Sequence, residues 1–144
     1  MKIKALFQKP SAKQIEQLGT YFNPKNAFDI ELGKEYIVIG MFWGFQESTL
    51  GKDIWVMYRV HSERIGFAPL CLFEVIDDRV SKYWKYYFGY EHHYLQPQEL
   101  IDNPHFNELL TDGEPEIVKI FADLYKRLET EFETEKVENE EFEF

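Results

Sequence analysis

Apolar positions change their spacing twice along the chain. From Glu35 to Phe42 nearly every residue is apolar (Glu-Tyr-Ile-Val-Ile-Gly-Met-Phe), which predicts a strand covered on both faces. Gly33 before it suits a turn, and Gly40 within it suits a bulge or a sharp bend. Asp53–Val60 alternates instead. Ile54, Val56, Tyr58 and Val60 fall on one face, and Trp55, Met57 and Arg59 on the other. Gly44–Lys52 between them is a polar loop of hairpin type. His61-Ser62-Glu63-Arg64 makes a tight connection to Ile65–Ala68, where Pro69 breaks the ladder. Leu70–Ile76 predicts a further strand, Asp77-Asp78 a turn, and Tyr83–Phe88 a last strand. Upstream, Lys2–Gln8 reads as a short strand. Ala12–Leu18 reads as a short helix, with Ser11 as N-cap and Gly19 as the left-handed residue beyond its end. Asn23-Pro24-Lys25-Asn26 is a turn or loop.

From Pro97 the period becomes helical. Pro97–Ile101 has room for one turn. Asn103-Pro104 pairs an N-cap with proline at the first helical position and opens Pro104–Leu110. Asp112-Gly113-Glu114-Pro115 repeats the device and opens a longer helix to about Glu129. Along it Ile117, Ile120, Phe121, Leu124 and Leu128 share one face. Beyond, Glu131, Glu133 and Glu135 alternate with Phe132 and Thr134; this is either a frayed helix extension or a disordered acidic-aromatic tail, and residues 131–144 are taken as the tail. The expectation is one α+β domain over residues 1–130. Its β core lies at about 32–90 and its helical part at about 97–130. Short strands with bent glycines predict a small SH3-like β-barrel or a strongly twisted antiparallel sheet, with the helices packed on it.

Composition narrows the function. The 144 residues are 44% hydrophobic and 17% aromatic, too aromatic for a chain disordered throughout. No apolar run approaches the ~20 residues that cross a bilayer. The first ten residues hold too short an apolar stretch for a signal peptide, so a cytoplasmic location is expected. The formal net charge is -10, which argues against nucleic-acid and anionic-membrane partners, since phosphate contact needs Lys and Arg. The charge is uneven: residues 1–110 carry -2 and residues 111–144 carry -8.

Gly33-Lys34-Glu35-Tyr36, Val38 and Gly40 begin an ordered set of residues. Ile54-Trp55, Tyr58, Pro69-Leu70 and Leu72-Phe73-Glu74-Val75 continue it, and Asp77, Arg79 and Ser81-Lys82-Tyr83-Trp84 complete it. On this set, the stretch from Leu32 to Phe88 resembles a family of uncharacterised bacterial proteins. Asn103-Pro104-His105-Phe106 and Leu110-Thr111-Asp112-Gly113 extend the resemblance to about two-thirds of the chain. The Gly-Lys-x-Tyr-x-Val start and Pro-x-x-Leu-Phe-Glu finish are also similar to bacterial SH3-type barrels. The resemblance implies a small cytoplasmic immunity protein for a polymorphic toxin, and it carries no catalytic motif and no cofactor. The acidic tail is where this chain departs from the family.

The residues themselves give little chemistry. Glu91-His92-His93 lacks the spacing of a metal site and reads as a solvated loop, with His61 and His105 remote in sequence. The single cysteine, Cys71, excludes an internal disulfide and reads as a structural thiol between Leu70 and Leu72. Asp77-Asp78 reads as a turn with an Asx contact rather than a catalytic carboxylate pair. Ser48 and Ser81 lack a nucleophile elbow, and Gly40–Gly44 is no phosphate loop.

Aromatic residues are the remaining signal. Tyr83, Trp84, Tyr86, Tyr87, Phe88, Tyr90 and Tyr94 crowd one stretch. Alternation puts Trp84, Tyr86 and Phe88 on one face and Tyr83, Lys85 and Tyr87 on the other. One face closes the core, and the other is an aromatic surface of the kind common at protein interfaces. The expected partner-binding residues are Trp43, Tyr83, Tyr87 and Tyr90, with the tail acids Glu131, Glu133 and Glu135. No metal ligand and no catalytic residue is expected. The function expected is non-enzymatic: an immunity protein occluding a basic toxin domain, or alternatively an SH3-like adaptor binding a peptide or larger complex. A small hydrolase or metal enzyme built on His92 and His93 is the weakest reading.

Overall fold

The structure, a computed structural model, describes residues 1–18, 28–44, 53–89 and 92–142, with side chains for these except 17–18 and 134–142. It is an α+β architecture with two antiparallel sheets. In the smaller sheet, β1 (Lys2–Ala5) lies between β2 (Glu35–Ile37) and β6 (Phe73–Asp77). The larger has five strands in the order β5 (Arg64–Pro69), β4 (Trp55–His61), β3 (Gly40–Gly44), β8 (His92–Pro97), β7 (Trp84–Gly89). Among the described residues no strand pairs across the two sheets, so they do not close into a barrel. The helices are α1 (Ala12–Leu18), α2 (Gln98–Asp102), α3 (Phe106–Thr111) and α4 (Pro115–Phe142). Among the described residues, no helix is long and apolar enough to cross a membrane.

The alternation of β4 builds both cores. Val56 and Tyr58 point toward the smaller sheet and pack with Ile3, Tyr36, Leu72 and Phe73. Trp55 and Met57 point the other way and pack with Phe106, Leu110, Phe121, Leu124 and Leu128 of α3 and α4. The five-stranded sheet is thus the middle layer. The predicted face of the long helix is the one buried. Phe121, Leu124 and Leu128 are almost fully covered, with Ile117 and Ile120 at its margin. Burying each such side chain contributes about 1.5–3 kcal/mol.

The apolar run at Glu35–Phe42 is two strands, not one. Val38 N donates to Met1 O in the smaller sheet (3.0 Å), and Ile39 N donates to Met57 O in the larger (2.8 Å). The chain therefore changes sheets at one peptide, which is why neither face of the run is free. Gly40 follows at the point of closest approach. A Cβ there would lie 2.8 Å from Leu95 O, closer than packed atoms allow. Gly33 turns into β2 at φ 80°, the left-handed region open to glycine.

Two expected elements have different bounds. The first strand stops at Ala5, after which Leu6 N and Phe7 N both donate to Leu72 O. Leu70–Leu72 is a 3-10 turn, and the strand begins only at Phe73. Pro69 ends the preceding ladder, and Asp53 Oδ2 accepts the Cys71 amide at 2.8 Å, which holds the bend. α1 starts as expected: Ser11 Oγ accepts from Gln14 N (3.2 Å) and Gln14 Oε1 from Ser11 N (2.8 Å), a reciprocal cap.

Two expectations are overturned. His92 and His93 do not lie in a solvated loop, and Glu91 lies outside the described residues. His92 and His93 open β8, which pairs on both sides with β3 and β7. The acidic stretch from residue 131 to Phe142 is helical rather than irregular. α4 continues through it to Phe142, and Glu131 is only 7% exposed. The expected turns at residues 23–26 and 45–52, and Gly19, lie outside the described residues.

Candidate interaction surface

Register places one residue of each of three strands in a row. Trp43 of β3 sits opposite His93 of β8, which sits opposite Phe88 of β7. The His93 ring stacks on Trp43, with centroids 5.5 Å apart and planes 14° apart. On its other side it meets Phe88 at 5.0 Å and Tyr86 at 5.9 Å. Tyr86 Oη and His93 Nδ1 lie 2.6 Å apart, a hydrogen bond whose direction follows the imidazole tautomer. Cross-strand ring pairs of this kind hold side chains in place on a sheet face. Yet this end of the face is open: Tyr86 is 60% exposed and Phe88 50%. The core shared with the smaller sheet covers this face around Met41, Val56, Tyr58 and Trp84, with Trp43 half-buried at its margin. β7 is the last strand of its sheet, so among the described residues its outer edge pairs with no strand.

The next row faces the helices. Phe42, Tyr94 and Tyr87 are opposite one another, with Phe42 and Tyr94 stacked at 5.7 Å and Tyr87 against Tyr94 at 6.0 Å. Tyr83 belongs to this side. It packs with the helical core, with Arg127 5.2 Å and Lys82 5.4 Å from its ring. The rings of these strands most open to solvent are therefore Tyr86 and Phe88, on the opposite face from the expected Tyr83 and Tyr87. The reason is the helical layer, which covers the Tyr83 side. Of the expected aromatic residues, Trp43 alone joins the open row, and Tyr90 lies outside the described residues.

The acids divide as well. The Glu131 carboxylate accepts from Ser81 Oγ and from Lys82 N, both at 2.8 Å. It clamps α4 to the segment before β7 and is not presented to a partner. Phe132 beside it lies under Lys2 and Arg79, each 5.0 Å from the ring centre. Glu133 is exposed, and the Glu135 side chain lies outside the described residues. Asp77 is held by Arg79, which donates from its guanidinium at 2.6–3.0 Å and from its amide at 3.0 Å. Those hydrogen bonds keep the Asp77 carboxyl below the usual carboxylate range.

Cys71 is half-buried, and its thiol is pushed up to about 12 by burial, then by the charge of Asp53 and a hydrogen bond to it. His61 Nδ1 accepts from Glu63 N in the β4–β5 turn (3.1 Å), and His105 pairs with Glu108 at 3.5 Å on the surface. Among the described residues, no three His, Cys, Asp or Glu side chains converge as metal ligands.

Sequence reasoning missed His93 and β8. The signal was present: two aromatic runs, Trp84–Phe88 and Tyr94–Leu95, flank a short polar gap and end at Pro97, the pattern of a hairpin. Comparison of the chain with protein-family models, with curated proteins and with solved structures gave no match.

Proposed function

We propose that this chain is a non-enzymatic protein-binding module, and most concretely an immunity protein that occludes a basic toxin domain. The observation that carries the reading is the open row Trp43–His93–Phe88 with Tyr86 beside it. Preordered aromatic side chains contribute large contact area at little entropic cost, and binding energy concentrates on such residues. The net charge of -10 supports a basic partner, because charge of opposite sign speeds encounter.

A second reading is an SH3-like adaptor. It draws on the five-stranded antiparallel sheet and the β7 edge, which pairs with no strand among the described residues and to which an extended peptide would add as a strand. The two readings part on the partner.

The test starts from the gene immediately upstream. Its C-terminal domain is expressed and titrated with this protein in a calorimeter, and protection from its toxicity is scored in cells. The expected result is one-to-one nanomolar binding with protection. Trp43→Ala and Phe88→Ala should each weaken binding about 30-fold, the effect of a hot-spot residue. Lys119→Ala, on the exposed side of α4, should leave it unchanged. Absence of binding, or binding indifferent to both aromatic substitutions, rejects this surface as the immunity interface.

A further inference from the structure

The end of β4, the turn after it, the start of β2 and the middle of α4 line a groove of about 530 Å³. Arg59, His61 and Ser62 line it from the β4 end, Lys34 from just before β2, and Tyr125 from α4. The groove thus gathers basic side chains in a chain of net charge -10.

Arg59 is the residue that points to a ligand. Arg64, Arg79 and Arg127 each meet a carboxylate at 2.6–3.0 Å. Arg59 is half-buried, and among the described residues no carboxylate lies within 4.0 Å of it. Its guanidinium sits over the Tyr125 ring instead, 4.8 Å from the centre. A cation held on an aromatic face is fixed in place and keeps N–H donors for another partner. Lys34 is held in the same way, with its ammonium 5.1 Å from the centre of the Tyr36 ring. Its ion pair with Glu31 is 3.9 Å long. Glu35 also lines the groove, but its carboxylate lies 3.9 Å from Lys2 Nζ on the paired strand β1. Exposed pairs of this length contribute little and yield to a closer anion. His61 Nδ1 accepts from Glu63 N, so the neutral ring carries its proton on Nε2 and adds a donor.

The number of donors selects the anion. A carboxylate has two oxygens, and one guanidinium fork takes both. A phosphate group has three acceptor oxygens, enough for the fork, the ammonium and the imidazole together. The groove is also larger than a free ion needs, since pockets for small organic ligands begin at roughly 300 Å³. We propose that the groove between the β4 end, β2 and α4 binds the phosphate group of a small phosphomonoester, with Arg59 as its main contact and Lys34 and His61 as further donors. The site is built from other residues than the Trp43–His93–Phe88 row, and it does not depend on the protein-binding reading.

Glycerol 3-phosphate, inorganic phosphate and succinate are suitable probes at pH 7.5 and matched low ionic strength. The full-length protein, labelled with nitrogen-15, is titrated with each and followed by its amide and Arg59 Nε–H shifts. Glycerol 3-phosphate should perturb Lys34, Arg59, His61 and Ser62. It should bind about tenfold more tightly than succinate and about threefold more tightly than inorganic phosphate. Arg59→Gln should weaken it at least about tenfold, and Lys34→Ala about threefold. Glu129 is exposed and its charge acts on Tyr125, so Glu129→Gln should strengthen binding about twofold. Lys34 and Glu129 are exposed, so these two variants keep the test where Arg59→Gln fails to fold. No shifts in the groove, succinate binding as tightly as the ester, or binding unmoved by the Lys34 and Glu129 substitutions would each overturn the site. Inorganic phosphate binding as tightly as glycerol 3-phosphate would overturn its assignment to an ester.

Discussion

Val38 and Ile39 are neighbours whose amides bond to different sheets, and that single peptide explains why Gly40 must follow. The sequence shows the bend, because a glycine inside an apolar run has few other uses. It does not show the change of sheet, which depends on where Met1 and Met57 end up. Trp84 illustrates the same limit. Its indole Nε1–H donates to Ile39 O at 2.8 Å, so this ring locks the crossover rather than offering itself to a partner. Cys71 was legible as a structural thiol from its apolar neighbours. Its partner Asp53 was not, being eighteen residues away and fixed by the fold. This pairing has a measurable outcome. Burial and Asp53 favour the protonated thiol, which shifts its ionisation from 9.0 to about 12. The thiolate is the reactive species. At pH 8 the native protein should therefore react with iodoacetamide at least about tenfold more slowly than the urea-unfolded chain. The stabilising contribution is present below about pH 9 and is lost as pH rises toward 12. Asp53→Asn should speed the native reaction, and equal rates in the folded and unfolded chain would refute the account.

Among the elements, those that carry their own caps were legible and those fixed by distant partners were not. α1 and the start of α4 follow directly from caps and spacing. β8 was hidden because a strand that pairs on both sides of a mixed aromatic-histidine segment leaves no simple alternation. The end of α4 was hidden for another reason. Glu and Thr repeated at close spacing read as a solvated tail, and only the fold reveals that Glu131 reaches Ser81 and Lys82. The candidate surface was half-legible on the same grounds: alternation separated Tyr86 and Phe88 from Tyr83 and Tyr87, but which face the helices cover is a tertiary fact. The clamp at Glu131 predicts how the chain responds to shortening. Hydrogen bonds to a charged group contribute about 1.5–3 kcal/mol each, and removing the carboxylate leaves its donors unpaired. Truncation after Glu129 should lower stability by about 3 kcal/mol relative to truncation after Glu133, read from urea midpoints at constant slope. Glu131→Ala should account for most of that difference. Equal midpoints for the two truncations would show that the clamp contributes nothing.

At the scale of the whole molecule, the acidic charge and the aromatic row belong to different parts of the chain. The helical layer packs on one face, and residues 111–144 carry a net charge of -8. The open aromatic row lies on the other face. If this surface binds a basic partner, the acids act through their field rather than by touching it. Fields of this kind speed diffusional encounter and are screened over about 10 Å at 0.1 M salt and 3 Å at 1 M. Contacts between rings are unaffected by that screening. The two contributions should then separate in the kinetics of the complex. Raising the salt from about 0.05 to 0.5 M should slow association about tenfold or more and leave dissociation within about twofold. Phe88→Ala should do the reverse, speeding dissociation with little change in association. Neutralising the exposed Glu133 with Gln should produce a weaker version of the salt effect. A dissociation rate that rises steeply with salt would place acidic groups in the interface itself, and would move the contact surface from the β7 end of the sheet to the helical face.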